Sequence, residues 1–366
     1  MKYIVSKQGI LNNISEVKKL AQDSVVIGVV KGNGYGFGIE FLAGFLRDNG
    51  IDFFAVTEVE DLILLRKEVL KDREKYNILM LRSTCDCEEI AAIAENGGIF
   101  TVGSQQAAEA VNAYAESKGE RLRAHIKIDT GMSRYGFLPT QIEQVKSVYG
   151  KCTSVDFEGI YTHFSSAFTN SALTRRQLKV FTDFVDVLKS NSIEPGMCHC
   201  ANSSALFGVP ESRLDAVRVG SAFAGRIIGE KGKNLTRVGY IESTVIETKD
   251  LSAGTPVGYN GTYVTKSNAR IAIIPVGHTD GWGMCAEQEV FSFKGALRKA
   301  LSVFKGVLTN RRKYVTIGDK NYPVVGQIGL SHTAVDITGS SVKAGDIVKL
   351  DTSPLNINPL MQREYV

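Results

Sequence analysis

Residues 25–38 read VVIGVVKGNGYGFG. The first six, Val25 to Val30, form an apolar run of the kind that makes a strand buried on both faces. The run stops at Lys31. Gly32, Gly34, Gly36 and Gly38 follow, with Asn33 and Tyr35 among them, so a tight polar-glycine loop is expected where the strand ends. A lysine at the end of a buried strand stands at the rim of a core. In parallel α/β folds that rim is where the chemistry sits. Burial lowers the pKa of an amine, and a neutral amine is what Schiff-base chemistry requires. Taken alone, the stretch fits a solvent-facing lysine beside a glycine-rich turn better than a functional one.

From this strand outward a unit repeats. An amphipathic helix is expected near 39–49, with Phe41, Leu42, Phe45 and Leu46 on one face. Apolar runs at 53–56, 77–81, 99–102, 122–128 and 155–163 alternate with helical patterns at 58–70, 88–96, 105–118, 140–149 and 173–191. Weaker strand signals lie near 195–199 and 214–218. This alternation points to a parallel sheet, and the number of units favours a closed (β/α)8 TIM-type barrel over an open sheet.

The rhythm changes after about residue 230. Strand-like stretches at 238–247, 255–264, 271–276, 314–317, 322–328 and 347–351 follow with few helices between them, and turn residues such as Lys249-Asp250 and Gly318-Asp319 separate them. The expected organisation is therefore a barrel over residues 1–230 and a C-terminal, mainly-β domain over 231–366. One stretch interrupts the second domain. Residues 293–308, FKGALRKALSVFKGVL, place Leu297, Leu301, Phe304 and Leu308 at helical spacing, with Lys294, Arg298, Lys299 and Lys305 elsewhere. A packed surface helix is expected; membrane or partner binding is the alternative reading of a basic amphipathic helix.

Composition narrows the function classes. The 366 residues are 43% apolar and 22% charged, with a net charge of +4. That is an ordinary globular profile, and dispersed basic residues do not suggest a nucleic-acid partner. Cys85, Cys87, Cys152, Cys198, Cys200 and Cys285 do not follow common zinc spacings. They read as reduced thiols of a cytoplasmic protein rather than as metal ligands or disulfides. The N-terminal stretch MKYIVSKQGILNNI lacks the charged-then-apolar pattern of a signal peptide, and no apolar run approaches the roughly 18 residues of a membrane span.

The strand ends share a chemistry. They carry Lys31 and Tyr35; Lys127-Ile128-Asp129-Thr130-Gly131-Met132-Ser133-Arg134; His163 within Tyr161-Thr162-His163-Phe164-Ser165-Ser166; His199 through Ser204; and Arg218-Val219-Gly220-Ser221. Each alone fits a turn or a helix cap. Together, hydroxyls, small residues and cations at matching strand ends suit a phosphate-bearing cofactor beside Lys31.

These residues resemble the alanine racemase family. VVKGNGYGFG is similar to that family's cofactor-lysine motif, and HIKIDTGMSRYGF to its K-x-D-T-G-M-x-R-x-G segment. YTHFSSA, ANSSA, VRVG and VGYNGTY follow in the family's order, so the likeness spans nearly the whole chain. The resemblance implies a pyridoxal 5'-phosphate barrel followed by a β domain, and a racemase making D-alanine for cell-wall peptide. By that resemblance Lys31 would hold the cofactor and act as base on one face of the substrate Cα, with Tyr259 on the other. Tyr35, Ser203, Gly220 and Ser221 would bind the phosphate. Arg218 would face the pyridine nitrogen with His163 behind it, and Arg134 would contact the cofactor and the substrate region. Lys127 occupies the position that is carbamylated in some members. Tyr259 would reach the active site of a second subunit, which implies a homodimer.

Departures from the pattern gather where the substrate would enter. His278 stands where the family usually has tyrosine, and Leu330-Ser331 replace Met-Asp; Leu330 would still offer its backbone to the substrate carboxylate. Gly32, Gly34, Phe37, Val219 and Ala224 also differ, and residues 285–313 form a longer segment than expected. Asn356 or Asn358 occupies the neighbourhood of a late tyrosine. Serine or a broader range of amino acids is therefore the alternative substrate. A basic-amino-acid decarboxylase on the same scaffold is disfavoured by Tyr259 and Arg218, and a non-enzymatic, barrel-only cofactor-binding protein by the additional β domain.

Overall fold

The computed structural model describes residues 1–227, 232, 234–284, 291–308 and 312–366. Cys285 lies outside the described residues. The chain divides into two compact units, Lys7–Val238 and Met1–Ser6 with Gly239–Val366. The opening strand β1 (Lys2–Val5) thus belongs to the second unit, where it pairs with Tyr240–Thr244. The expected boundary took residues 1–230 together; four residues are too short a run to reveal a distant pairing partner from sequence.

The first unit is a barrel of parallel strands: β2 (Val25–Val29), β3 (Phe53–Val56), β4 (Asn77–Met80), β5 (Phe100–Val102), β6 (Leu122–Lys127), β7 (Val155–Tyr161), β8 (Met197–Asn202) and β9 (Ala216–Val219). Their order is β4-β3-β2-β9-β8-β7-β6-β5, so the first and last strands of the unit are neighbours. Ile27 of β2 lies opposite Phe53 on one side and Arg218 on the other. Between β4 and β5 the closure is slighter: Ile99 N–H donates to Ile78 O at 2.8 Å and Met80 N–H to Ile99 O at 2.9 Å. Alternate residues of a strand share a face. Ile27 and Val29, and Phe53 and Ala55, accordingly join Leu79, Ile99 and Ala216 in a buried cluster.

The expected helices form at Ile39–Asp48, Val59–Glu68, Cys87–Glu95, Gln105–Lys118, Ile142–Lys151 and Ser171–Ser190. Short polar residues start several of them. Asp86 Oδ1 accepts from Glu88 N–H and Glu89 N–H, both at 3.0 Å, Ser104 Oγ from Ala107 N–H, and Asn170 Oδ1 from Leu173 N–H. Each supplies an acceptor for a donor that the helix itself leaves unpaired. A further helix, Lys7–Ala21, precedes β2 and buries Ile10, Asn13, Ile14, Val17 and Ala21 along one face.

Helix Val59–Glu68 carries an unusual anchor. Arg66 is buried, and its guanidinium donates to four carbonyls: Asn96 O at 2.9 Å, Leu70 O at 3.1 Å, Tyr76 O at 2.8 Å and Gly97 O at 3.0 Å. Burial lowers its pKa to about 10, so it stays charged at neutral pH. Arg66→Ala strands those carbonyls at once. The expected loss is about 3 kcal/mol of unfolding free energy, read as a lower urea midpoint; an unchanged midpoint contradicts the role.

The second unit is built on a nine-stranded sheet. Its strands are β1, β10 (Tyr240–Thr244), β11 (Glu247–Leu251), β14 (Ala269–Ile274), β15 (Tyr314–Ile317), β16 (Lys320–Val325), β17 (Thr333–Asp336), β18 (Ile347–Leu350) and β19 (Arg363–Tyr365), with a separate pair, β12 (Pro256–Val257) and β13 (Tyr263–Val264). Three expectations are corrected here. Lys249-Asp250 is no turn: both lie in β11, paired with Ile271 and Arg270 of β14, because an exposed strand tolerates charge. The stretch 255–264 is two short strands separated by a turn at Tyr259–Gly261, where Asn260 and Gly261 take positive φ. Helix Phe293–Leu308 is not packed, since its large apolar side chains from Phe293 to Phe304 stand exposed.

Candidate active site

The end of β2 sets the site. Gly32, Asn33, Gly34, Tyr35 and Gly36 all take positive φ, between 52° and 86°. The expected glycine loop is therefore a left-handed helical turn. Alternating glycines make it affordable, since each ordinary L-residue in that conformation costs about 1–2 kcal/mol. Gly34 N–H donates to Val30 O at 2.9 Å and Gly36 N–H to Gly32 O at 3.0 Å. Asn33 Oδ1 then accepts from Ile39 N–H at 3.0 Å and starts the next helix. The turn brings Tyr35 against β9: a Cβ on Gly220 would overlap the Tyr35 ring. Glycine at 220 is thus a packing requirement.

A cavity of about 350 Å³ opens there, lined by Lys31, Tyr35, Arg134, His163, Ser203, Arg218, Gly220 and Ser221. Tyr135, Tyr161, Arg82, Asn202 and Ser204 complete much of its wall. No carboxylate is among its lining residues, as far as the described residues go. Burial lowers the pKa of Lys31, and the charges of Arg134 and Arg218 lower it further. Burial pushes Tyr35 up to about 12, so its hydroxyl stays a neutral donor. Ser203 Oγ accepts from Gly220 N–H at 3.1 Å and Ala222 N–H at 3.3 Å, which ties the end of β8 to the end of β9.

Arg218 is buried, with no acidic partner among the described residues. One terminal nitrogen donates to His199 Nδ1 at 2.7 Å and His199 O at 3.1 Å; the other donates to Thr162 O at 2.7 Å and reaches His163 Nδ1 at 3.3 Å. Its guanidinium also stacks 4.9 Å from the Tyr161 ring centroid. His163, expected behind Arg218, is there, but His199 makes the shorter contact. Arginine only donates, so His199 Nδ1 is the acceptor. Burial and the Arg218 charge hold His199 well below its ordinary pKa, leaving it neutral. Its proton is then on Nε2, which lies 2.8 Å from His125 Nδ1. His125 Nε2 in turn faces Glu158 at 3.7 Å. The line Arg218–His199–His125–Glu158 has one direction of donation.

Arg134 is placed by the loop that precedes it. Burial pushes the Asp129 carboxyl up, but the N–H groups of residues 131–134 outweigh it and hold it below its ordinary value. Asp129 accepts from Gly131, Met132 and Arg134 N–H at 2.9, 2.8 and 3.1 Å. Arg134 then stacks over Tyr135, 4.9 Å from its centroid, and Tyr135 OH donates to Leu81 O. Lys127 sits just behind this wall. It is 2% exposed, donates to Ile128 O at 2.9 Å, and lies 5.7 and 5.5 Å from the Tyr135 and Tyr161 centroids. Burial first, then the Arg218 charge, brings its pKa down to about 7.

Tyr259, His278 and Leu330 belong to the β unit. Tyr259 is 71% exposed and lines a groove with Gln327, Gly329, Leu330 and His332. His278 N–H donates to Gly329 O at 3.0 Å and Thr279 N–H to Leu330 O at 2.9 Å, so the 278 and 330 loops form one structure. Asn358 Nδ2 donates to Thr279 O at 3.2 Å, and Asn356 O lies against Gly281. Tyr135 and His125 were not singled out from sequence, and Tyr161 and His199 stood in the strand-end stretches without an assigned role. The readable signal was period two: His125 lies two residues before Lys127, and Tyr161 two before His163.

The cavity fits a group bearing phosphate and an aromatic ring. The hydroxyls of Tyr35, Ser203 and Ser221 and the cations of Lys31, Arg134 and Arg218 border it, with no opposing anion among the described residues. Residues 5–226 match the family model described as alanine racemase, N-terminal domain, and residues 238–358 that described as alanine racemase, C-terminal domain. The chain is 31% identical over 353 residues to an alanine racemase of Methanococcus maripaludis, covering 94% of this chain and 87% of that one. Against alanine racemase 1 of Clostridium acetobutylicum it is 30% identical over 353 residues, covering 94% and 84%. Among solved structures, alanine racemase from a D-cycloserine-producing Streptomyces lavendulae superposes with a TM-score of 0.84 at 22% identity, covering 100% of this chain and 96% of the other. That from Bartonella henselae with covalently bound pyridoxal phosphate gives 0.81 at 22% identity, covering 100% of both. At that identity the structural likeness establishes the fold.

Proposed function

The chain belongs to the alanine racemase family, and from that membership we propose that it interconverts L- and D-alanine with pyridoxal 5'-phosphate held around Lys31. The observation that carries this reading is the barrel cavity itself: a lysine of lowered pKa, hydroxyls at the ends of β8 and β9, a buried arginine, and no carboxylate among the described residues of the wall.

Each residue has work to do. Lys31 would hold the cofactor covalently and, once released by substrate, take or return a proton at its Nζ. Tyr35, Ser203, Gly220 and Ser221 would hold the phosphate by hydroxyls and backbone N–H groups. When bound, the cofactor supplies the electron sink that makes the α-proton of an amino acid removable. Arg218, which only donates, would keep the pyridine nitrogen unprotonated. That weakens the sink enough to disfavour decarboxylation and transamination. The neutral line through His199 and His125 fixes where Arg218 points. Arg134, held by the Asp129 loop, would meet the substrate side of the cavity.

Racemisation needs a second proton donor on the opposite face of Cα. Tyr259 is assigned that part. Its ring stands exposed in the single chain, as a group completing a partner's site must, so a homodimer with Tyr259 crossing between subunits is inferred. No described helix is long and apolar enough to cross a membrane. The free thiols Cys85, Cys87, Cys152, Cys198 and Cys200 suit the reducing cytoplasm, where D-alanine would be made for cell-wall peptide.

The test is a panel of L-amino acids incubated with the purified protein and cofactor, with each D-enantiomer measured. D-Alanine should form fastest. Serine is the competing substrate, because His278 and Leu330 alter the expected entrance; a faster D-serine rate would transfer the assignment to it. Carbon dioxide release in place of enantiomer exchange would sink the racemase reading.

Lys127 adds a prediction. With a pKa brought to about 7, roughly half of its amine is neutral at pH 7. A neutral amine is the form that adds carbon dioxide. Carbamylation would turn a cation into an anion beside Arg134 and orient it. Labelled bicarbonate should give a carbamate carbon signal that Lys127→Ala removes. The signal should fall as the pH drops below about 7, where the amine becomes protonated. A signal unaffected by Lys127→Ala contradicts the assignment.

A further inference from the structure

Helix Phe293–Leu308 takes no part in the reaction described above. Its large apolar side chains up to Phe304 stand open to solvent: Phe293 is 84% exposed, Phe304 72% and Leu301 62%. At about 100° per residue, Phe293, Ala296, Leu297, Ala300, Leu301, Val303 and Phe304 fall within an arc of roughly 160°. Lys294, Arg298, Ser302, Lys299 and Lys305 occupy the opposite side. Residues 293–308 include four cations and no carboxylate. Beyond it in sequence, Lys313 lies over the buried Trp282, and Arg312 over Tyr263.

Two physical facts say that this face has an occupant. Gly295 and Gly306 weaken the helix intrinsically. Most helical stability in water comes from packing an apolar face, and this one lies open in its own chain. Charge decides what the occupant is. A second copy would bring another helix with cations and no acid, which repels. A surface of lipid phosphates complements the cations and admits the apolar stripe. Sixteen residues span about 24 Å, short of the roughly 30 Å of a bilayer core, so such a helix lies on a membrane and does not cross it.

We propose that this helix docks the protein on an anionic lipid surface. The stripe of Phe293, Leu297, Leu301 and Phe304 enters the boundary between headgroups and acyl chains. Lys294 and Arg298 extend their stems along it and meet the phosphates. Docking is independent of the reaction assigned to the barrel.

The test is co-sedimentation of the full chain, loaded with cofactor, with phosphatidylcholine vesicles with and without phosphatidylglycerol. Partitioning onto the anionic vesicles should exceed that onto phosphatidylcholine alone by at least about tenfold. Arg298→Gln and Lys294→Gln should each lower it on the order of fivefold. The pair Leu301→Glu with Phe304→Glu should lower it by about tenfold or more while alanine racemisation stays at the wild-type rate. Absence of binding to anionic vesicles overturns the proposal. So does binding that the glutamate pair leaves intact, which is charge adsorption by other surfaces. A drop in the mass of the glutamate pair without vesicles assigns the stripe to a contact between copies and overturns it as well.

Discussion

Lys31→Ala should abolish racemisation, lowering kcat by at least about 10⁴-fold, the upper range of a single acid–base group. One amine carries two duties in this account, holding the cofactor and moving the proton on one face of Cα. Alanine removes both. No neighbour replaces it. Lys127 has its amine bonded to Ile128 O behind two tyrosine rings, and the guanidinium groups of Arg134 and Arg218 offer donors only. The fold should not suffer. Lys31 is crowded by the charges of Arg134 and Arg218, so removing it relieves repulsion. The measurement pairs D-alanine formation with the thermal midpoint. Lost activity at an unchanged midpoint supports the assignment. Activity within tenfold of wild type would move the chemistry elsewhere.

Tyr259→Phe should cost about 10³-fold in overall racemisation, within the usual range for a positioned acid or base. The two directions must fall together, because L- and D-alanine are equal in free energy in achiral solvent. The asymmetry appears in proton exchange. In deuterated solvent, loss of the α-proton from L-alanine should nearly stop, because Tyr259 serves that face. Exchange from D-alanine at Lys31 should continue with retention of configuration. Equal, mild losses from both enantiomers would remove Tyr259 from the reaction. The phenyl ring keeps the bulk of an exposed side chain, so folding is not at issue.

The barrel was legible because its strands are buried on both faces over most of their length and therefore spelled as apolar runs, as in Ile27–Val29, after an exposed Val25, and in Phe53–Val56. The β unit was harder. Lys2–Val5 pairs with strands more than two hundred residues away, a distance over which no local pattern extends. Lys249-Asp250 carry turn chemistry by composition but lie in an exposed strand, where charged side chains meet water. The left-handed turn after Lys31 was signalled by its glycines, though its handedness was not, since glycine permits both signs of φ.

The site shows the same division. Lys31, Tyr35, Ser203, Arg218 and Gly220 stood at strand ends and line one cavity. What sequence did not convey is how Arg218 is held. His199 and His125 come from β8 and β6, and only the closed sheet brings them into line behind it. Their burial makes them neutral, and that neutrality sets the direction of every proton in the line. Helix Phe293–Leu308 shows the converse. Its amphipathic pattern was plain, but a pattern does not say which surface covers it, and the fold leaves that face open.

The most direct measurement locates the cofactor on the chain. The protein is loaded with pyridoxal 5'-phosphate, treated with borohydride to make the attachment permanent, digested, and its peptides are sequenced by mass spectrometry. The account predicts one modified lysine, Lys31, in the peptide containing VVIGVVKGNGYGFG. Modification at Lys127 or any other lysine in its place, or an unmodified chain, would contradict it.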